Sequence, residues 1–391
     1  MAAVCQGWEL QLVSLDLVNA RVLRPRGLEH DTLSFAGGFI AEEPVGRPVD
    51  LSGFLVLPGI VDLHGDAFER HLAPRRGAMK QMSEGLVATA AELAANGITT
   101  GVLAQFVSWE GGVRGPEFAE KVFEAIRDTA PTLDTDIRAQ LRLEMHLLDL
   151  YEDLPDKLRD WSVDYVVFND HLPHDRLAEG RRPPRLTGQA LKAGRNPDAH
   201  FEMLLELHAR RADVPAALDR LCGRLAERNV LMGSHDDNTA AERSAWNARG
   251  ARLAEFPETA EAAEAARETG DTIILGAPNV VRGGSHKGNA SAVELVAMGL
   301  CDALASDYHY PSPRRAALML ADSGVTDFAG AWSLVSHGPA KALGLHDRGT
   351  LDAGKRADIV ILHEKTRRVA ASLAGGSFTF LSGELGSRLF T

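Results

Sequence analysis

A chain of 391 residues, 45% hydrophobic and 25% charged, can bury one large core plus a smaller module, and this composition excludes a disordered chain. Its formal net charge of −12 argues against general nucleic-acid binding, which draws on phosphate neutralisation by Lys and Arg, so an anionic ligand has to be met by local positive charge. Cys5, Cys222 and Cys301 are odd in number and lack CxxC spacing, which excludes a disulfide framework or zinc ribbon and predicts free thiols.

The N-terminal stretch MAAVCQGWELQLVSLDLVNA has no basic leader, and no apolar run is long enough to cross a bilayer, so a cytoplasmic location without a membrane partner is expected. Residues 1–55 carry short β-like pieces, WELQLVSLDLVNARVL and TLSFAGGFIAEE. Apolar runs suited to strands then alternate with helical stretches, the pattern of parallel βα units. They are FLVLPGIVDL, ITTGVLAQF, LRLEMHLL, DYVVFND, VLMGSH, ARLAEF, TIILGA and DALASD. Between the first two, EGLVATAAELAANG fits an amphipathic helix with Gly97 as its left-handed cap. Eight such pairs over about 285 residues predict an α/β (β/α)₈ barrel. Periodicity alone leaves an open doubly wound sheet as the alternative. Residues 172–200, rich in Arg, Gly and Pro, form the longest irregular stretch. Residues 347–391 return to β-like segments, beginning with DRGTLDAGKRADIVILHE. Chain ends often lie close together. The expected organisation is a small β module from residues 1–55 and 347–391 beside a barrel of residues 56–346.

The chemistry collects where the strands end. VLPGIVDLHGDAFERH, residues 56–71, finishes an apolar strand with His64, Asp66, Glu69 and His71. Residues i and i+2 of a strand share a side, so His64 and Asp66 both face the axis if the strand continues that far. Glu144, His171, His235 and Asp307 hold the matching positions on four further strands, at the barrel face where active sites sit. A single His or Asp at a strand end is more often hydrogen-bonded structure or a helix cap; convergence of six favours ligation. Mixed imidazole and carboxylate donors suit Zn²⁺, with Mn²⁺, Fe²⁺ or Co²⁺ as alternatives. Six ligands exceed one tetrahedral ion. The economical arrangement is two ions, with Glu144 bridging, His64, Asp66 and Asp307 mainly on one, and His171 and His235 mainly on the other. His146 shares the strand face of Glu144 and is the alternative to it. Asp307 is the expected general base and later proton donor.

A second constellation is ILGAPNVVRGGSHKGN, residues 274–289. Its glycines allow close backbone approach, and Arg282, Ser285, His286, Lys287 and Asn289 add donors and charge suited to phosphate. Arg75 and the basic residues of 172–200 suggest a flap over an anionic substrate, with a solvated loop as the plain alternative. Asp236 and Asp237 suit either orientation of ligands or capping of the next helix.

The ordered set LPGIVDLHGD, SHDD, ASDY and GTLDAGKRADIVIL resembles the amidohydrolase superfamily across nearly the whole chain. HxD in place of HxH, with SHDD, AEFPETAEAAEAA and GAPNVVRGGSHKGN, is similar to its phosphonate-pathway PhnM-type branch, the α-D-ribose 1-methylphosphonate 5-triphosphate diphosphatases. The resemblance implies a metal-dependent hydrolase barrel with a β-sandwich from both termini. It also implies cleavage of a ribosyl triphosphate to the 5-phosphate and pyrophosphate. This chain departs from the branch at NDHLPHD, where the branch has DH, a small residue, Pro, Gly and Gln, and at YHYPSPRRA after Asp307. The alternative is hydrolysis of a C–N bond, by deacetylation or deamination, of a small anionic substrate. A noncatalytic homologue is disfavoured because all six metal positions are kept. A homo-oligomer is compatible with the sequence.

Overall fold

The computed structural model describes residues 13–73, 81–283 and 291–390, which build two sheets. In the first, β1 (Leu15–Arg24) pairs antiparallel with β2 (Gly27–Ala36), which carries β3 (Phe39–Ala41) on its far edge. β4 (Pro48–Asp50) and β5 (Phe54–Pro58) run parallel to β1. The apolar run read as the first barrel strand is therefore two strands. Gly59 divides them, and a Cβ there would collide with the Thr99 side chain.

The second sheet holds eight parallel strands: β6 (Ile60–Gly65), β7 (Ile98–Val107), β8 (Asp136–Glu144), β9 (Tyr165–Asn169), β10 (Leu231–His235), β11 (Leu253–Glu255), β12 (Thr272–Gly276) and β13 (Ala303–Ala305). Every predicted barrel strand is present and in order. Their residues are buried almost throughout, as expected of strands covered by helices on one face and filling a barrel on the other. Leu63, Val102, Tyr165, Val167, Leu253 and Ile274 pack as one apolar cluster. The sheet closes on itself through a parallel bridge between Gly65 and Asp307. There Asp307 N–H donates to His64 C=O and Asp66 N–H to Asp307 C=O, both at 2.9 Å. Buried Asp62 locks this seam, accepting from Ser306 N–H at 2.9 Å and from its hydroxyl at 2.5 Å. The seam thus fixes where Asp307 stands relative to His64. Outside, the helix Met82–Ala95 buries Leu86 and Leu93, and Gly97 follows it at φ 87°, the predicted left-handed stop.

β14 (Ile359–His363), β15 (Val369–Ala374) and β16 (Ser377–Leu381) complete the first sheet, β14 pairing antiparallel with β5. Strands from both ends of the chain share one core, including Leu15, Phe35, Val56, Ile359 and Leu373.

The stretch 172–200 differs from its reading as irregular. With the residues up to 209 it forms three helices, His174–Ala178, Leu186–Lys192 and Pro197–Ala209. Short helices separated by Gly and Pro leave too little periodicity to read. Yet Asn196 caps the third by accepting from the N–H groups of Asp198 and Ala199, with Pro197 as its first residue. Leu177, Leu186 and Leu204 anchor this excursion in a satellite core with Trp109 and Leu172. Cys222 and Cys301 are free, as predicted, and Cys5 lies outside the described residues. Among the described residues no helix is long and apolar enough to cross a membrane.

Candidate active site

β6 ends at Gly65, and its register against β7 shifts between Asp62 and Gly65. Such irregularities re-aim side chains at barrel rims. His64, fully buried, faces His235 at the end of β10, ring centroid to centroid 5.4 Å, and Glu255 at the end of β11, Nδ1 to Oε2 2.7 Å. One ligand atom from each of these three residues lies within 4.8 Å of the others. Nε2 of His64 and Nε2 of His235 are buried without a hydrogen-bond partner among the described residues, while each Nδ1 faces a carboxylate, Glu255 Oε2 at 2.7 Å and Asp236 Oδ2 at 3.0 Å. Orphaned donors and acceptors aimed at one another fit a divalent cation well and an apolar core badly. The other oxygen of Glu255 is held by Gln140 Nε2 at 2.7 Å and by the Tyr165 hydroxyl, an outer shell that orients the carboxylate.

Glu144 and His171 meet on the adjoining side. Glu144 Oε1 lies 2.5 Å from His171 Nδ1, and its second oxygen accepts from His171 N–H at 3.2 Å. Asp236 Oδ2 stands 3.0 Å from His235 Nδ1 and 3.7 Å from His171 Nε2, so it bridges the two imidazoles. Asp237 is turned away, paired with buried Arg243 at 3.1 Å and with Ser234 at 2.6 Å. The next helix is capped instead by a Thr239–Glu242 capping box. Asp66 lies just past β6, beside Asp307 through the seam. Asp236, Phe256 and Asp307, each at a strand end of this mouth, take left-handed φ of 62°, 55° and 54°, backbone strain of the kind found at functional sites.

The electrostatics divide the groups. Burial, aided by the Arg142 cation, lowers His235 to about 4 and keeps it neutral and able to ligate. Burial opposes charge on His171, but Asp236 and Glu144 outweigh it and raise this imidazole to about 9. A cation taken there has to displace that proton. Burial and the Asp66 charge raise Asp307 to about 6. Arg142, on β8 two residues before Glu144, is a buried guanidinium inside the mouth. It donates to Asn169 Oδ1 at 3.3 Å, approaches Asp66 Oδ2 at 3.8 Å and stacks 4.7 Å over the Phe106 ring.

His64, Asp66, Glu144, His171, His235 and Asp307 stand at or just past the ends of their barrel strands, and of these His64 and His235 share a group of close ligand atoms with Glu255. His64 sits with His235 because Glu255 reaches in between them. Sequence reading missed Glu255 and Arg142. Glu255 ends LAE as Glu144 ends LRLE, a carboxylate closing a barrel strand, and Arg142 alternates with Glu144 on one strand face. His146 lies against Asp170, Nε2 to Oδ1 3.2 Å. Arg282 stands at the rim, donating to the Tyr308 hydroxyl at 2.7 Å. Arg75, Ser285, His286, Lys287 and Asn289 lie outside the described residues.

Of the remaining ionisable residues in the opening motif, His71 pairs with Glu92 at 2.6 Å, which ties the segment to the helix Met82–Ala95. Burial, opposed by Arg114 and reinforced by Asp66, raises Glu69 from 4.5 to about 7. An acid with a raised folded pKa stabilises most below the unfolded value, and that stability falls as pH rises from 4.5 to about 7. Glu69→Gln is therefore expected to raise the melting temperature at pH 8, by a few degrees for about 3 kcal/mol, and to leave it unchanged at pH 5. Thermal melts at the two pH values check this.

Solved structures sharing this architecture include N-acetylglucosamine-6-phosphate deacetylase from Pasteurella multocida, with TM-score 0.60, 12% identity, and coverage of 94% of this chain and 99% of that one. Another is N-acyl-D-glutamate deacylase from Bordetella bronchiseptica, solved with zinc and a phosphonate inhibitor, with TM-score 0.60, 15% identity, and coverage of 94% and 96%. The closed barrel with its flanking sheet is the fold the chain shares with these two hydrolases, and its mouth of imidazoles and carboxylates offers the donor set of a hydrolase that works with a metal. No protein-family model matches the chain. It is 35% identical over 333 residues to the α-D-ribose 1-methylphosphonate 5-triphosphate diphosphatase of Escherichia coli (strain K12), covering 82% of this chain and 86% of that protein. The chain belongs to this diphosphatase family.

Proposed function

We propose that the protein hydrolyses α-D-ribose 1-methylphosphonate 5-triphosphate to the 5-phosphate and pyrophosphate. The observation that carries this reading is the 35% identity to the Escherichia coli enzyme of that name, extending over most of both chains. The mouth supports it independently, because buried Arg142 and rim Arg282 offer positive charge beside a ligand group in a chain of net charge −12. His64, His235 and Glu255 are the residues to hold one divalent ion, with Glu144, His171, Asp66 and Asp307 for a second; we take both to be zinc. An ion bound there supplies Lewis acidity toward a phosphoryl oxygen and makes water acidic enough to react near neutral pH.

The chain's own groups do the rest. Gln140 and Tyr165 hold Glu255 in place. Asp307, held at the barrel seam beside Asp66, takes a proton from the attacking water and returns it to the departing pyrophosphate. Arg142 and Arg282 neutralise charge on the phosphates, joined in this reading by Ser285, His286, Lys287, Asn289 and Arg75. The substrate in this reading is a small anion, and the enzyme acts on it in the cytoplasm, apart from nucleic acid and membranes.

Purified protein is expected to release pyrophosphate from the ribosyl triphosphate, and Asp307→Asn to abolish that release without unfolding the chain. Robust turnover of an N-acyl or deaminase substrate panel with no pyrophosphate would move the assignment to C–N bond hydrolysis.

A further inference from the structure

Among the described residues a second group of ligating side chains lies apart from the mouth group: His146, Asp170 and His174. His146 stands two residues past β8, Asp170 directly past β9, and His174 opens the helix His174–Ala178 at the start of the 172–209 excursion. Asp170 Oδ1 is 3.2 Å from both His146 Nε2 and His174 Nε2. Ligands at 2.0–2.1 Å around a tetrahedral ion stand roughly 3.3 Å apart, so each imidazole nitrogen is at that spacing from Asp170 Oδ1, and all three ligand atoms lie within 4.8 Å of one another.

We propose that these three side chains bind one divalent transition ion of the zinc class, which fastens the 172–209 excursion to the barrel rim. Two further observations point to a ligand. His146 is only 2% exposed, and its Nδ1 has no hydrogen-bond partner among the described residues, while its Nε2 meets Asp170 Oδ1 at 3.2 Å outside good hydrogen-bond geometry. Its approach to Asp170 is two donor atoms facing a common point. His208, on the helix Pro197–Ala209, places Nδ1 2.8 Å from Nδ1 of His174. With His174 Nε2 turned to the ion, its Nδ1–H donates to His208, the outer-shell contact that fixes a ligating imidazole in one tautomer. The ion would thus tie three pieces together: the ends of two barrel strands, the first helix of the excursion and, through His208, its third. The satellite core around Leu177 and Leu204 lies on the same excursion, so apolar packing and the ion act on one segment.

The test is independent of the reaction assigned to the mouth. Full-length protein, stripped with a chelator, is titrated with Co²⁺ and Zn²⁺ as wild type, H174Q and H235Q, with circular dichroism to establish that each is folded. H174Q replaces a part-exposed residue and should fold. Wild type is expected to bind one equivalent more than H174Q, while H235Q keeps that equivalent. In wild type, Zn²⁺ should slow hydrogen exchange in His174–Ala178 and Pro197–Ala209 more than 10-fold, an effect absent in H174Q. Equal stoichiometry in wild type and H174Q, or exchange in these helices indifferent to Zn²⁺, would overturn the proposal and leave the mouth assignment standing.

Discussion

Replacing Glu255 with Gln is expected to lower kcat/KM for the triphosphate by more than about 100-fold, since changes one shell further out already cost 10–100-fold in metal-site enzymes. The amide keeps the volume and can still meet Tyr165 and Gln140, which hold the wild-type carboxylate. What disappears is the charge on the oxygen that faces His64 at 2.7 Å. The purified variant should carry less metal than wild type, and added Zn²⁺ should restore activity only in part. Metal content and steady-state kinetics on the same preparation check this. Retention of wild-type metal and rate would remove Glu255 from the ligand group.

Arg142→Met is the second large effect. Methionine fills much of the stem's volume and loses the guanidinium that sits between Phe106, Asn169 and Asp66. A positive group this buried, whose contacts among the described residues are a 3.3 Å hydrogen bond to Asn169 and the Asp66 carboxylate at 3.8 Å, is poorly compensated by the protein alone. An anionic substrate completes it. Loss of such a preorganised donor costs about 100-fold or more in kcat/KM. The loss should shrink for the diphosphate, which carries less phosphate charge, and kinetics on the di- and triphosphate resolve this. Arg142→Lys should recover only part of the rate, because a lone ammonium keeps the charge and lacks the planar fork that grips two phosphate oxygens.

How legible was this site in the chain? The barrel strands were readable because buried parallel strands are continuous apolar runs, and the acids and imidazoles that interrupt those runs mark the strand ends. His64, Glu144, His171, His235 and Asp307 stand out for that reason. Glu255 carried the same signal in LAEF, but β11 is three residues long and its carboxylate is followed by a helix-rich acidic segment that reads as solvated surface. Arg142 was hidden because a single Arg inside an alternating strand resembles an outward-facing charge. Only the closure of the barrel shows which face is inside. The pairing of His64 with His235 depends on the register shift in β6 and on the seam at Asp62 and Ser306, and neither leaves a local pattern. The division of FLVLPGIVDL into two strands was equally silent, since both halves are fully buried and only Gly59 marks the turn from one sheet to the other. In the 172–209 excursion, Arg, Gly and Pro masked three short helices whose buried leucines are too widely spaced to form a stripe.

The most direct measurement is anomalous diffraction at the metal edge from crystals of protein purified without chelator. A peak enclosed by His64, His235 and Glu255, lost together with pyrophosphate release on chelation, is the predicted result. A mouth without such a peak, in protein that still cleaves the triphosphate at full rate after chelation, would contradict it.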